Sequence, residues 1–328
     1  MSDRSLHVVP GELLPPRGRG RRHLLSVADL DCADVERLLA TAHSFALSQE
    51  RDNKKLPTLR GRLVVNVFFE SSTRTSSSFE LAAKRLSADT LSIKASGSSV
   101  EKGESLKDTA LTLSAYDPDV IVIRHPQIGA PQLVADVTEA HVVNAGDGKH
   151  QHPTQALLDL YAIQEALGRL DGVQVAIVGD VLHSRVARSL IQALRLVGAG
   201  VVLVGPPPLL PHELGDVSYE IDAIRDADVV YVLRMQRERM EEGANYVPSL
   251  REYSARWCVT PERLRPGQKV MHPGPMNRGV EIDPRVADSQ AALVVDQVRA
   301  GLVVRMAVLY DLLTSGPVAV ETAVVGVA

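Results

Sequence analysis

Hydroxyl and cationic side chains cluster after two apolar segments of the sequence. Ser72-Thr73-Arg74-Thr75 follows the apolar stretch 63–69, and Arg124-His125-Pro126 follows 119–123. A helix that starts at the first cluster would direct its free N–H groups toward a bound anion, and the Arg74 guanidinium could donate to two oxygens of a phosphate at the same place. We therefore predict that this first cluster binds a phosphate group at a helix N-terminus. On these residues alone, a Ser/Thr-rich helix cap beside a surface arginine explains the cluster equally well.

A glycine-containing loop supplies further polar groups at residues 144–155, which read Asn-Ala-Gly-Asp-Gly-Lys-His-Gln-His-Pro-Thr-Gln. His152 and Gln155 stand at the start of a predicted helix. A neutral His that donates to a carbonyl oxygen, beside a Gln that binds an amide, fits this arrangement. His150 and His152 have no carboxylate or cysteine at metal-ligand spacing, so we predict no metal site.

Two more arginines follow apolar segments in the second half of the chain. Residues 178–185 read Val-Gly-Asp-Val-Leu-His-Ser-Arg and bring Arg185 to the start of a predicted helix. Residues 233–236 read Leu-Arg-Met-Gln and place Arg234 and Gln236 after a predicted strand. The G-x-G-x-x-G pattern of dinucleotide-binding turns is missing, so we expect no Rossmann cofactor. These arginines are available instead for the two carboxylates of an acidic substrate.

Strand and helix patterns alternate from about residue 60 onward. Strands are predicted at 63–69, 119–123, 173–178, 201–204 and 229–233, and helical spacing marks 79–86, 154–167, 186–194 and 302–313. This order predicts parallel sheets with helices on both faces. We predict an α/β fold of two doubly wound domains joined by the long helix 154–167, with the C-terminal helix returning to the first domain.

The predicted first domain comprises residues 22–153 plus 299–315, and the second comprises residues 154–298. Residues 1–21 are predicted to form a flexible basic tail, and residues 316–328 a C-terminal extension. A charge run of this kind is more often solvated than bound to nucleic acid, although the tail alone leaves nucleic-acid contact open.

Composition limits the function classes that this chain can serve. Its 328 residues are 45% apolar and carry a formal net charge of −4, which does not fit a general nucleic-acid binder. The two cysteines, Cys32 and Cys258, predict no disulfide framework and fit a reducing compartment. No apolar run reaches the roughly 18 residues of a membrane span, and no signal core is present. We expect a cytoplasmic protein that contacts neither membrane nor nucleic acid.

Six segments in combination resemble the catalytic chain of the aspartate carbamoyltransferases, within the aspartate/ornithine carbamoyltransferase superfamily. In chain order they are Ser-Thr-Arg-Thr at 72, Arg-His-Pro at 124, His-Pro-Thr-Gln at 152, His-Ser-Arg at 183, Arg-Met-Gln at 234 and His-Pro-Gly-Pro at 272. The resemblance extends from about Arg22 to Leu313. It implies transfer of the carbamoyl group of carbamoyl phosphate to L-aspartate, by direct attack and without a cofactor, in de novo pyrimidine (UMP) biosynthesis.

The resemblance also implies a role for each matching residue. Carbamoyl phosphate would be bound by the following residues: Ser72, Thr73, Arg74, Thr75, Arg124, His152, Gln155 and the backbone of Gly274 and Pro275. Among these, Thr75, Arg124 and His152 would donate to the carbonyl oxygen. The second domain would bind the α-carboxylate of aspartate through Arg185 and its β-carboxylate through Arg234 and Gln236. Gly274 stands where the family often carries Leu, which alters the packing of the cleft.

One polar loop, residues 97–105, reads Gly-Ser-Ser-Val-Glu-Lys-Gly-Glu-Ser. By its residues alone it is a solvated turn. In the family the matching loop reaches the active site of a neighbouring subunit, so Ser98 would contact phosphate and Lys102 both substrates; Ser99 is the alternative to Ser98. The resemblance thus implies a homotrimer with shared active sites. Some relatives bind regulatory chains and others dihydroorotase, and the sequence does not choose between these and a free trimer.

Two rival functions are weighed against this one. Ornithine carbamoyltransferases share the phosphate segment but typically carry Ser-Met-Gly and His-Cys-Leu-Pro stretches, which this chain lacks. Lys102 and Arg234-Met235-Gln236 favour an acidic second substrate. A non-enzymatic phosphate-binding or regulatory module would require Arg185 and Arg234 to be ordinary surface charges.

Overall fold

Two parallel sheets form the framework of the protein. The computed structural model describes residues 23–94, 103–236, 246–247 and 249–314. The first sheet has the order β2-β1-β3-β4 and contains β1 (Leu63–Phe68), β2 (Asp89–Lys94), β3 (Val120–His125) and β4 (His141–Asp147). The second has the order β7-β6-β5-β8-β9 and contains β5 (Gln174–Val178), β6 (Gly200–Val204), β7 (Asp216–Ser218), β8 (Val229–Val232) and β9 (Lys269–Met271).

Helices connect the strands of both sheets. The first sheet is accompanied by α1 (Cys32–Gln49), α2 (Thr73–Arg85), α3 (Leu106–Ser114) and α4 (Ala130–Val137). The second is accompanied by α6 (Arg185–Leu196), α7 (Leu250–Trp257) and α8 (Pro284–Ala287). The predicted α/β fold with two parallel sheets is confirmed. No helix among the described residues is both long and apolar enough to cross a membrane.

A long helix, α5 (Pro153–Leu167), joins the two parts of the chain. Every residue from Pro153 to Ile163 is buried, which explains why its sequence is apolar on all faces. The helix ends at Gly168, whose left-handed φ of 72° lets its N–H donate to the Gln164 carbonyl at 2.8 Å. The joining helix was predicted correctly from its apolar run and its glycine stop.

The last helix, α9 (Val294–Thr314), packs against α1, α2 and α5. The C-terminal helix therefore returns to the first domain, as predicted. The exact domain boundaries, 22–153 plus 299–315 and 154–298, remain a prediction. The predicted tail at 1–21 and the extension at 316–328 lie outside the described residues, as do Ser98, Ser99 and Lys102.

The strand order explains where chemistry can occur. β1 lies between β2 and β3, and β5 lies between β6 and β8, so each sheet has a point where successive connections leave in opposite directions. Crevices beyond the carboxyl ends of strands at such points are the usual ligand sites of open α/β sheets. The Ser72 segment follows β1, and the Arg234 segment follows β8. Both segments therefore follow a strand at the point in its sheet where the direction of the connections reverses.

Some elements differ from the sequence prediction. β3 continues to His125, so Arg124 lies inside the strand, opposite Phe68 of β1, and not beyond its end. β2 was not predicted, because its six residues are exposed or half-buried and show no run of apolar side chains. Both differences follow from reading strands by apolar runs, which detect fully buried strands best.

Candidate active site

A cleft of about 1120 Å³ collects the polar segments that follow the strands of both sheets. Every predicted site residue that the structure describes lines it, namely Ser72, Thr73, Arg74, Thr75, Arg124, His152, Gln155, Arg185, Arg234, Gln236, Gly274 and Pro275. Residues distant in sequence thus meet at one place. The roles predicted for them individually remain predictions.

The cleft is strongly cationic. Among the described residues that line it, six are cationic, Arg74, Arg124, Lys149, Arg185, Arg234 and Arg305, and one carries a carboxylate, Glu70. The whole chain, by contrast, has a formal net charge of −4. Charges of one sign gathered in a concave site attract ligands of the opposite sign. The site is therefore built for small anions.

The Ser72 hydroxyl does not cap helix α2 in the ordinary way. Ser72 is the N-cap residue, yet its side chain makes no hydrogen bond to the N–H groups of the first turn. Its Oγ instead accepts a hydrogen bond from Arg124 Nη1 at 3.1 Å. The helix N-terminus and the arginine from the neighbouring strand thus converge, and both favour an anion.

Arg74 is approached by a glycine from the second sheet's side of the cleft. Gly274 has a φ of 65°, and a Cβ added there would lie 2.5 Å from Arg74 Nη2. A φ of this sign suits glycine, and the missing Cβ lets the end of the Arg74 side chain lie close to this backbone. The departure from Leu noted in the sequence thus gives the Arg74 guanidinium its space.

Hydrogen bonds shape the loop that contains Gly274. His272 Nδ1 accepts from the Gly274 N–H at 2.8 Å, so Nε2 carries the ring proton and donates to Glu281 Oε1 at 3.2 Å. Burial lowers the pKa of His272, although Glu281 acts in the opposite direction. The His272 ring is thus a neutral support for the loop.

Glu70 joins the two parts of the cleft, and sequence reasoning missed it. Its Oε2 accepts from Arg124 Nε at 3.1 Å and from Arg185 Nη2 at 2.6 Å. Arg124 belongs to β3 and Arg185 to α6, so one carboxylate connects arginines from both sheets. The only sequence signal was its position directly before the phosphate segment. Such a bridge orients both guanidinium groups along the cleft wall.

Arg185 reaches from α6 into the first domain. It is 2% exposed, and its Nη1 donates to the Gly148 carbonyl at 3.1 Å. A Cβ at Gly146 would lie 2.9 Å from Arg185 Cζ, and the φ of 120° at Gly146 suits glycine. The glycine loop predicted from the sequence therefore makes room for an arginine of the other domain.

Asp147 organises the loop that leads to His152. Its carboxylate accepts from Asn144 Nδ2, from the Gln151 N–H and from the Gly129 N–H at 2.8, 3.0 and 3.0 Å. The His152 N–H donates to Ser189 Oγ of α6 at 2.8 Å. The loop is therefore fixed to both domains. Within the described part of the chain, no group of three or more His, Cys, Asp or Glu side chains is arranged to hold a metal.

The second-domain segments are tied together by Asp180. Its Oδ1 pairs with His183 Nδ1 at 2.8 Å, and its Oδ2 accepts from the Gln236 N–H at 3.0 Å. This buried carboxylate holds the segment before α6 against the one after β8. Arg185 and Arg234 thus stand on connected supports.

Two buried charges near the cleft were also missed from the sequence. Asp159 of α5 accepts a hydrogen bond from Gln155 Nε2 at 3.1 Å, and burial raises its pKa to about 7. Arg305 of α9 lies over the Phe79 ring, 5.1 Å from its centroid, and burial lowers its pKa to about 10. The available signal in each case was a charged residue within an apolar stretch of a helix.

Two family models match the chain. The carbamoyl-phosphate-binding domain of the aspartate/ornithine carbamoyltransferases matches residues 22–165, and their Asp/Orn-binding domain matches residues 171–312. The chain belongs to the aspartate/ornithine carbamoyltransferase family. The family resemblance read from the six sequence segments is thereby confirmed.

Curated members of this carbamoyltransferase family resemble the chain over most of its length. The aspartate carbamoyltransferase catalytic subunit of Salinispora arenicola is 56% identical over 303 residues, covering 89% of this chain and 98% of the relative. That of Moorella thermoacetica is 52% identical over 301 residues, covering 89% and 97%. Both names specify aspartate.

Solved structures of the family share the fold. Aspartate transcarbamoylase from Trypanosoma cruzi, in complex with carbamoyl aspartate and phosphate, has a TM-score of 0.82 at 32% identity, covering 90% of this chain and 98% of that one. The catalytic subunit of M. jannaschii aspartate transcarbamoylase has a TM-score of 0.79 at 36% identity, covering 89% and 98%.

Proposed function

We propose that the chain is an enzyme that transfers the carbamoyl group of carbamoyl phosphate to the amine of L-aspartate. The products are N-carbamoyl-L-aspartate and phosphate. The predicted reaction and enzyme class are confirmed by the names of the full-length relatives and by similar structures that hold the substrates and the product. One observation of this chain carries the proposal: a single cationic cleft joins a helix N-terminus to two arginines of the other domain.

The first-domain side of the cleft is proposed to bind carbamoyl phosphate. The Ser72 to Thr75 segment offers hydroxyls, N–H groups and the Arg74 guanidinium, and Arg124 stands beside Ser72. Arginine and helix N–H groups match phosphate oxygens in charge and geometry. Gln155 and the backbone of Gly274 and Pro275 would hold the carbamoyl amide.

The second-domain side is proposed to bind aspartate. Arg185 would bind the α-carboxylate, and Arg234 with Gln236 the β-carboxylate. The contact between Arg185 and Glu70 at 2.6 Å supports this assignment, because it shows that the guanidinium lies within reach of the phosphate side of the cleft. When both substrates are bound on facing walls, most of the translational and rotational entropy loss of a bimolecular reaction has already occurred on binding, which lowers the barrier of the chemical step.

The chemistry then needs no covalent enzyme intermediate, because carbamoyl phosphate is itself a good acylating agent. The neutral amine attacks the carbonyl carbon, and the C–N bond forms as the C–O bond to phosphate breaks. Thr75, Arg124 and His152 would donate to the developing oxyanion, each donor contributing roughly 3 kcal/mol. The departing phosphate accepts the amine proton, so no protein base is required.

The amine requirement gives a direct experiment. Phosphate release from carbamoyl phosphate by the full chain should depend on L-aspartate and should match N-carbamoyl-L-aspartate in amount. Succinate offers the same two carboxylates without the amine, so it should inhibit competitively and release no phosphate. Phosphate release that is independent of aspartate would contradict direct attack by the amine.

We further propose that the chain forms a homotrimer in which Ser98 and Lys102 complete the active site of a neighbouring subunit. This rests on the family resemblance of residues 97–105, which lie largely outside the described residues. A place in pyrimidine biosynthesis is proposed from the family resemblance as a whole, and a cytoplasmic location from the two cysteines that fit a reducing compartment. The resemblance does not choose between a free trimer and one that binds dihydroorotase or regulatory chains.

Subunit mixing tests the shared site. Arg74→Ala and Lys102→Ala chains should each be nearly inactive alone. After exchange in an equal mixture, about one site in four should regain both side chains, because each site draws on two neighbouring chains of a closed ring. Subunit exchange between differently tagged chains serves as the control. Proven exchange without recovered activity would overturn the shared site.

A further inference from the structure

A buried carboxylate lies directly behind the part of the cleft that would read the carbamoyl amide. Asp159 of α5 is 0% exposed. Its Oδ1 accepts from Gln155 Nε2 at 3.1 Å and from Gln297 Nε2 at 2.7 Å. Its Oδ2 accepts from the Tyr231 hydroxyl at 2.7 Å. Three donors from α5, α9 and β8 therefore converge on one side chain.

This arrangement decides which way the Gln155 amide points. A glutamine side chain has a donating end and an accepting end of nearly equal size, and its environment selects the orientation. Asp159 offers only acceptors to its neighbours when ionised, so it holds the donating Nε2 end of Gln155. The accepting Oε1 end is then the one left to serve a ligand in the cleft. An acceptor is what an NH₂ group requires.

A second arm extends from Asp159 to the loop on the opposite side of the cleft. Asp159 accepts a hydrogen bond from Gln297 Nε2, and Gln297 Oε1 accepts one from the backbone N–H of His272 at 3.0 Å. The Nδ1 atom of the His272 ring in turn accepts a hydrogen bond from the Gly274 N–H. The carbonyls of Gly274 and Pro275 are the other acceptors proposed for the carbamoyl amide. One carboxylate thus orients Gln155 directly and, through Gln297, holds the start of the loop that carries those carbonyls.

We propose that Asp159 is the positioning residue that makes this cleft selective for the NH₂ group of carbamoyl phosphate, by turning the acceptor end of Gln155 toward it and, through Gln297, supporting the loop that carries Gly274. The inference rests on the proposed function, in which Gln155 binds that amide. Asp159 itself touches no substrate. It acts through two glutamines.

The cost of burying Asp159 agrees with a specific task. Burial raises its pKa to about 7, and the hydrogen bonds from Tyr231, Gln297 and Gln155 lower it. A carboxylate buried in this way lowers the stability of the fold relative to an apolar residue of equal size. Arg305 also influences Asp159 electrostatically and donates to the Gly301 carbonyl at 3.1 Å, so its own position does not depend on Asp159 alone.

Acetyl phosphate is the probe that isolates this selectivity, because a CH₃ group replaces the NH₂ group at nearly the same size. Aspartate attack on it forms the C–N bond, breaks the C–O bond to phosphate and gives N-acetyl-L-aspartate and phosphate, with one proton leaving the amine. The measured quantity is kcat/KM for carbamoyl phosphate divided by kcat/KM for acetyl phosphate, using the full chain and saturating aspartate. Where acetyl phosphate turnover is too slow, its inhibition constant against carbamoyl phosphate replaces kcat/KM.

Replacing Asp159 by Leu removes the acceptor and keeps the volume. We expect the ratio to fall at least about 10-fold, because a lost charge-assisted hydrogen bond typically has an effect of this size. Asp159→Ala is the second variant, because it places no apolar group against the two glutamines if the leucine disrupts folding. Gln155→Ala should lower the ratio to a similar extent.

A conservative variant separates positioning from general damage. Asp159→Asn keeps an acceptor at Oδ1, and its amide can donate to the Tyr231 oxygen, so the ratio should stay within about threefold of the original. A purely structural role predicts instead that every variant slows both substrates equally.

The outcomes are distinguishable. An unchanged ratio in Asp159→Leu or Asp159→Ala, with a lowered ratio in Gln155→Ala, would overturn the role of Asp159 and leave the proposed function standing. An unchanged ratio in Gln155→Ala would overturn the proposed amide contact and the inference with it. The expected result is a lowered ratio in the leucine and alanine variants and a ratio close to the original in Asp159→Asn.

Discussion

Replacing Arg124 by Ala should lower kcat/KM for carbamoyl phosphate by about 100- to 1000-fold, the usual effect of losing one donor to a developing oxyanion. Arg124 also donates to Ser72 and to Glu70, so its loss removes a proposed phosphate ligand and one of the supports of the cleft wall. Steady-state phosphate release at saturating aspartate measures the effect. A fall in kcat, and not only a rise in KM, is expected because the donor acts in the transition state.

Arg62→Ala is the matched control for this prediction. Arg62 directly precedes β1, at the opposite end of the strand pair that presents Arg124, and its exposed side chain pairs with Asp119 at 2.7 Å. Surface ion pairs contribute little to stability, so activity should stay within about twofold of the original. Equal effects of the two substitutions would contradict a catalytic role for Arg124.

Replacing Arg185 by Ala should raise KM for aspartate by about 100-fold, because a buried arginine that pairs with a carboxylate contributes several kcal/mol. Binding of carbamoyl phosphate, measured by calorimetry without aspartate, should change by no more than about threefold. The split between the two substrates is the informative result. It follows from the position of Arg185 on α6, across the cleft from the Ser72 segment.

Arg188→Ala is the control on the same helix. Arg188 lies one turn after Arg185, is partly exposed and does not line the cleft. Its removal should leave both kinetic constants close to their original values. If Arg185→Ala weakened carbamoyl phosphate and aspartate equally, or changed neither, the assignment of the aspartate wall would be wrong.

The strand-end rule allowed much of the site to be predicted from the sequence. Ser72 and Arg124 follow or end neighbouring parallel strands, so their proximity at 3.1 Å follows from topology once the strands are recognised. The same rule brings Arg185 and Arg234 to one end of the second sheet. Apolar runs gave five of the nine strands that the structure describes, namely β1, β3, β5, β6 and β8, and together with helix stops they gave the joining helix and the returning C-terminal helix.

What the sequence could not predict depends on contacts between distant segments. Glu70 bridges arginines 54 and 115 residues away in the chain, and no local pattern encodes such a pairing. The sequence alone does not show which groups pair with Asp159, because its partners Tyr231 and Gln297 lie on distant segments and α5 is buried on all sides only from Pro153 to Ile163. The Gly274 approach to Arg74 likewise needs the relative position of two loops.

The choice of second substrate tests the central claim most directly. The full chain is given carbamoyl phosphate with equal concentrations of L-aspartate and L-ornithine, and both carbamoylated products are quantified by mass spectrometry. A cleft lined by Arg185 and Arg234 should yield N-carbamoyl-L-aspartate with a preference of at least about 100-fold, because the cationic side chain of ornithine would meet like charges. Citrulline as the main product would contradict the account.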